Sequence, residues 1–154
     1  MNVVTKQQLV TAIARDLIPK LAPYEIMLFN QQHDVYLHNP EFVLRQSLGN
    51  ETEGMIFLTP ILRDVLMDVI TYICMEIKRT TVVNTSHSLN LAVRQVFRNF
   101  SFDETETAQR VQISEQQCRT IRELALEKAR AHRLSEFKAQ QLADTVVCSL
   151  ITAH

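Results

Sequence analysis

The scarcity of glycine is the feature that most constrains the fold of this chain. Only two glycines, Gly49 and Gly54, occur among its 154 residues. Tight β-hairpin turns favour glycine because their central residues adopt positive φ, so the scarcity favours helices over strands. It also excludes the glycine-rich loops that hold nucleotide phosphates. Residues 49–55, which contain both glycines, are expected to form a flexible loop.

The most apolar segment, residues 59–78, predicts a central helix that begins at Pro60 and ends at Lys78. Thr59 is suited to cap this helix, and proline is favoured at a first helical position. A membrane span would need about 20 residues almost free of charge. Four charged residues lie inside the segment, before its terminal Lys78: Arg63, Asp64, Asp68 and Glu76. We therefore expect a core helix with the aspartates on a narrow polar stripe exposed to solvent, and no membrane span.

Most of the circumference of this helix is apolar, which is typical of a helix surrounded by its neighbours. A dimer seam is the alternative use of such a surface, because symmetric dimers are the commonest way for a chain to hide one face. The candidate seam residues are Met67, Tyr72 and Met75. The sequence therefore predicts a homo-oligomer.

The rest of the chain shows helical periodicity without internal repeats. This pattern predicts one all-α domain over residues 1–154, a bundle of six to seven amphipathic helices around the central one. Leu9, Ile13 and Leu17 mark the apolar face of the first helix, and Thr5 is its expected cap.

Serines mark the starts of three later helices. Ser88 and Ser135 are expected N-caps, and Ser114 is expected to form a capping box with Gln117. The last helix is expected to turn one apolar face to the core, made of Phe137, Leu142, Val146, Val147, Leu150 and Ile151.

Three further segments complete the predicted organisation. Residues 24–40 favour a helix, because no glycine is present to support a turn; two short strands are the alternative, so an extended segment within 24–38 stays open. Residues 40–48 and 103–111 each predict a short helix.

No arrangement of residues indicates catalysis or metal binding. His33 and His38 are five residues apart, which does not place two imidazoles on one helical face, and no Glu-x-x-His motif occurs. The three cysteines form no Cys-x-x-Cys pair. We expect no catalytic residue, no metal site, no cofactor and no enzymatic activity. The start of the chain lacks the layout of a signal peptide, so a reducing, cytoplasmic location is expected.

Residues 104–124 resemble the helix-turn-helix pattern of bacterial DNA-binding proteins. Four residues occupy positions that the pattern reserves for small or apolar side chains: Ala108, Ile113, Cys118 and Ile121. The usual turn glycine is replaced by Gln112. The resemblance implies that the second helix of the pair would contact DNA.

Four arginines on the helix after Ser114 fall within an arc of about 80°: Arg119, Arg122, Arg130 and Arg133. Leu126 lies in the middle of this arc, and acidic residues flank it. We call these five residues the arginine face. It is a candidate surface for an acidic-apolar protein partner or for DNA, whereas a solvated face is the ordinary alternative.

Taken together, these patterns predict a non-enzymatic helical module that acts through protein–protein contacts and self-associates. The alternative hypothesis is a small DNA-binding regulator that uses residues 104–133, with Arg119 and Arg122 on the duplex. The formal net charge of −1 gives the whole molecule no field that would attract nucleic acid.

Overall fold

The structure is a computed structural model that describes residues 3–26, 57–80, 86–97 and 113–150. These residues form five α-helices: α1 (Val3–Leu21), α2 (Leu58–Thr80), α3 (Ser86–Val96), α4 (Glu115–Ala131) and α5 (Glu136–Cys148). A 3₁₀ helix, Pro23–Glu25, follows α1. The described part contains no β-strand, and an isolated antiparallel bridge joins Phe97 to Leu150. The all-α class is confirmed.

The described residues hold five α-helices, whereas the sequence predicts six to seven for the whole chain. Several predicted segments lie outside the described residues: most of 24–40, together with 40–48, 49–55 and 103–111. The first of these segments begins within the described part with the 3₁₀ helix, which is followed by Ile26 in the α-helical conformation, with φ of −58° and ψ of −44°.

The apolar face predicted for α1 is confirmed. Leu9, Ile13 and Leu17 are almost completely buried. The helix begins at Val3, so Thr5 lies inside its first turn and does not cap it. A cross-helix hydrogen bond from Lys6 Nζ to Thr71 Oγ1, 3.0 Å long, ties the start of α1 to α2.

Helix α2 is the central helix, as the sequence predicts. It packs against α1, α3 and α4, while α5 packs against α4 and α1. Its buried side chains recur every three or four residues along its length: Leu58, Ile61, Leu62, Val65, Leu66, Val69, Ile70, Ile73, Cys74 and Ile77. Each such aliphatic side chain contributes about 1.5–3 kcal/mol when it is removed from water, so these residues dominate the core.

The start of α2 differs from the prediction, because a side chain distant in the sequence caps it. The Glu25 carboxylate accepts hydrogen bonds from Leu58 N–H at 2.9 Å and Thr59 N–H at 3.0 Å. Helix α2 begins at Leu58, so Thr59 and Pro60 are its second and third residues. The prediction that Thr59 caps the helix was wrong, because a buried carboxylate from the 3₁₀ helix satisfies these amides instead. The Thr59 hydroxyl is buried without a hydrogen-bond partner.

The predicted start was wrong for helix α3 and confirmed for helix α4. Helix α3 begins at Ser86, which places Ser88 inside it rather than at its cap. Helix α4 has the predicted capping box: Ser114 Oγ accepts from Gln117 N–H at 3.1 Å, and Gln117 Oε1 accepts from Ser114 N–H at 2.9 Å. The local four-residue pattern was sufficient to specify this cap.

A tight connection joins α4 to α5. Leu134 N–H donates to Ala129 O at 3.3 Å, and Arg133 N–H donates to Arg130 O at 2.9 Å. These two bonds define a Schellman motif, in which the residue after the C-cap adopts the left-handed conformation. That residue is Arg133, with φ of 64°. Ser135 then caps α5 by accepting from Lys138 N–H, as predicted.

In the described segments, no helix combines the length and the apolar character that would allow it to cross a bilayer.

Candidate functional site

Three of the four arginines of the arginine face lie in ion pairs with carboxylates of this chain. Arg119 Nη2 lies 2.8 Å from Glu115 Oε1 on the same helix. Arg122 Nε reaches Asp144 Oδ1 on α5 at 2.9 Å. These pairs are exposed, so each adds little to stability, but both would compete with phosphate oxygens for the same guanidinium groups.

Arg130 belongs to the same pattern. Its Nε lies 3.0 Å from Glu136 Oε2, across the connection between α4 and α5. Hydrogen bonding to this guanidinium lowers the pKa of Glu136, and the same bond raises the pKa of Arg130. The three pairs offset the positive charge of three of the four arginines on this surface.

Leu126 is buried, with 8% of its surface exposed, so the structure separates it from the arginines around it. Helix α4 contacts both α2 and α5, and the arc of α4 that faces the core is therefore wider than the sequence suggests. Arg133 is exposed at the connection beyond the end of α4. Leu126 therefore contributes little to the accessible part of the arginine face.

The three candidate seam residues on α2 also differ in accessibility. Met67 and Tyr72 are half-buried and pack against the core. Tyr72 Oη donates to Glu76 Oε1 at 2.9 Å, and partial burial raises the pKa of Tyr72. Met75 is 65% exposed. Of the three, Met75 alone presents most of its side chain to solvent.

The two aspartates predicted to line the solvent stripe of α2 are about half exposed, and both also connect α2 to another helix. Asp64 Oδ2 lies 2.9 Å from His132 Nε2, and Asp68 Oδ2 lies 3.4 Å from Lys128 Nζ. Both basic partners are on α4, far away along the chain, and no local pattern indicates that they meet the aspartates. These contacts link α4 to α2 at two points.

A cleft on α5 is the feature that sequence patterns missed. It has a volume of about 430 Å³ and is lined by Lys20, Phe137, Gln140, Gln141, Asp144, Thr145 and Cys148. All of these residues except Lys20 belong to α5.

Phe137 is 78% exposed beside this cleft, so the prediction that it faces the core was wrong. The core face of α5 is formed by Ala139, Leu142, Ala143, Val146 and Leu150. The two alanines follow the helical spacing of the core. Phe137 is five residues before Leu142, which places it on a different side of the helix. The spacing alone would have placed Phe137 off the core face, but its large apolar side chain suggested a buried residue.

The cysteines and acidic residues give no support to catalysis. Burial raises the pKa of the Cys74 and Cys118 thiols, which disfavours the reactive thiolate. Cys148 is exposed in the α5 cleft. Within the described ranges, no three histidine, cysteine, aspartate or glutamate side chains are grouped so as to hold a metal ion.

No protein-family model, curated protein or solved structure matches this chain. Its function must therefore be inferred from the side chains that it exposes. Large apolar side chains that stand out in the described part are Tyr24, Met75 and Phe137, and Phe137 is the most exposed of them.

Proposed function

We propose that this protein is a non-enzymatic helical interaction module that self-associates. The observation that carries the proposal is Phe137, an aromatic side chain 78% exposed on the wall of a cleft. Removing a side chain of this size from water contributes about 1.5–3 kcal/mol, and aromatic residues beside pockets are typical anchors of protein interfaces.

We further infer that α1, α2, α4 and α5 form a four-helix bundle. Their contacts run from α1 to α2, from α2 to α4, from α4 to α5 and from α5 back to α1. Polar contacts between neighbouring helices support an antiparallel course at two of these steps, from α2 to α4 and from α4 to α5. For α2 and α4, for example, Asp64 pairs with His132 while Asp68 pairs with Lys128.

A bundle of this kind provides a rigid support for an exposed helix face. Helix α5 is held on one side by α4 and on another by α1. Its Phe137, Gln141 and Asp144 side chains are therefore presented on a helix whose position is fixed by packing. Rigid presentation reduces the entropy that is lost on binding.

Self-association is tested by sedimentation velocity on the wild-type protein over a wide range of concentrations. We expect the weight-average mass to rise from monomer towards dimer as the concentration increases. A mass that stays at 17.8 kDa up to millimolar concentrations would refute self-association.

A further inference from the structure

The exposed face of α5 has the spacing of a helix-pairing seam. Phe137, Gln141, Asp144 and Cys148 are separated by four, three and four residues and are all exposed. At about 100° per residue these four side chains fall within an arc of about 60°. This 4-3-4 spacing is that of the a and d positions through which two helices pack. We call these four residues the α5 face.

We propose that the α5 face pairs with the same face of a second copy of this chain, with the two helices antiparallel. The inference rests on the proposed self-association and identifies its surface. A 4-3-4 spacing is the same in both chain directions. When one helix is reversed, each of the four positions therefore lies opposite one of the four positions on the other helix. The two-fold axis then passes between residues 142 and 143.

At the ends of the seam, this register places Phe137 opposite Cys148 of the partner subunit. Sulfur at the edge of an aromatic ring is a favourable contact. The same pairing occurs twice in a two-fold dimer, so both exposed phenyl rings become covered.

At its centre the register places Gln141 opposite Asp144 of the partner subunit. Arg122 engages Oδ1 of Asp144, so Oδ2 is left to accept a hydrogen bond from the glutamine amide. A polar pair at a central seam position fixes register and orientation, because any shift would bury one group without its partner.

The flanking residues of the cleft extend this complementarity. Gln140 falls opposite Thr145 of the partner subunit. The Thr145 hydroxyl donates to the Gln141 carbonyl of its own helix at 2.8 Å, so its oxygen can accept from the Gln140 amide. Among the described residues that line the cleft, Lys20 is the one cation and Asp144 the one anion. Two copies of such a balanced surface do not repel each other.

The size of the seam sets the expected affinity. Helix α5 has 13 residues, which corresponds to a length of about 20 Å. A single helix pair of this length covers less than the roughly 800 Å² per partner of a standard interface. We therefore expect a dimer that dissociates in the micromolar range or above, and that depends strongly on Phe137.

The test compares two exposed apolar residues by sedimentation velocity, Phe137→Glu on α5 and Met75→Glu on α2. Both positions lie on the surface, so both variants should keep wild-type circular dichroism and thermal stability. We expect Phe137→Glu to raise the dimer dissociation constant by at least about 30-fold. Met75→Glu should leave the constant within about two-fold of the wild-type value.

A cross-linking measurement tests the register independently. In the proposed dimer, the two Gln141 positions are about 4.5 Å apart along the helix axes, whereas the two Cys148 positions are about 16 Å apart. Oxidation of Gln141→Cys in a Cys148→Ser background should give a disulfide-linked dimer. Lys138→Cys in the same background is the matched control, which should stay monomeric on denaturing gels.

The outcomes separate this inference from the proposed function. If the wild type dimerises and Met75→Glu rather than Phe137→Glu abolishes the dimer, self-association stands and the α5 seam is overturned. The seam is also overturned if neither variant weakens the dimer, or if Lys138→Cys cross-links as well as Gln141→Cys. A wild type that is monomeric at every concentration would overturn both.

Discussion

At the scale of single residues, Glu25 is a buried side chain that links two distant parts of the described structure. Its carboxylate is fully buried and binds the first two amides of α2, 33 and 34 residues further along the chain. A negative charge at this position also interacts favourably with the positive end of the α2 helix dipole. One side chain thus positions the start of the central helix against the end of α1.

We predict that Glu25→Ala lowers the free energy of unfolding by about 2–4 kcal/mol, because two buried amides lose a charged acceptor. Glu25→Gln keeps one acceptor oxygen and should lose about half as much. Urea denaturation followed by circular dichroism measures both. Glu123→Ala, on the exposed side of α4, serves as the control. A loss below about 0.5 kcal/mol in Glu25→Ala would contradict the capping role.

At the scale of elements, the connection between α4 and α5 places a residue other than glycine in a conformation that favours glycine. Its Schellman motif requires a left-handed residue, and Arg133 fills that position with φ of 64°. Glycine is the usual residue there because it has no Cβ to clash with the neighbouring carbonyl. In a chain with so few glycines, the packing of α4 against α5 imposes the conformation on an arginine.

Most mutations lower the free energy of unfolding, but we expect a glycine at position 133 to raise it. Arg133→Gly should raise the free energy of unfolding by about 0.5–1 kcal/mol, since the relief of backbone strain exceeds the entropy that glycine loses on folding. The comparison is Lys138→Gly within α5, which should lower it by about 1 kcal/mol. Thermal and urea denaturation check both. Destabilisation by Arg133→Gly would show that the arginine side chain itself stabilises the connection.

At the scale of the whole molecule, the distribution of charge bears on the DNA-binding alternative. The chain carries 16 basic and 17 acidic residues. Arg119, Arg122 and Arg130 already have carboxylate partners in the described structure. Phosphate binding would have to displace those partners without help from a favourable overall field.

We therefore expect no measurable binding to mixed-sequence duplex DNA at physiological salt in a fluorescence anisotropy titration. A titration at low salt tests this expectation more strictly, because weak contacts to phosphates strengthen as the salt concentration falls. Binding that weakens steeply with salt and disappears in Arg119→Ala/Arg122→Ala would favour the helix-turn-helix hypothesis instead. Lys78→Ala, an exposed cation at the end of α2, controls for a general loss of charge.

Much of the fold could be predicted from the sequence because the responsible signals are local. The apolar periodicity of α2, the face of α1 and the capping box at Ser114 each depend on residues within a few turns of one another. Such patterns act on the backbone before any tertiary contact forms. The start of α2 could not be predicted in this way, since its capping carboxylate comes from another helix.

The candidate site was less predictable because exposure is a property of the assembled molecule. Leu126 lies between arginines on a helical wheel, yet it is buried on a helix that packs against both α2 and α5. Phe137 looks like a core residue by composition, yet the smaller Ala139 and Ala143 take the core face of α5. Steric fit between helices, and not hydrophobicity alone, selected the side chains that face inward.

By itself the sequence determined the all-α class, the central position of α2 and the absence of any local catalytic or nucleotide-binding motif. Tertiary structure decided which helices meet, where the aspartates of α2 find His132 and Lys128, and which apolar side chains stay outside. The physical reason is the range of the interactions involved. Helical periodicity and capping act over a few residues, whereas ion pairs between helices and close packing require parts of the chain that only folding brings together.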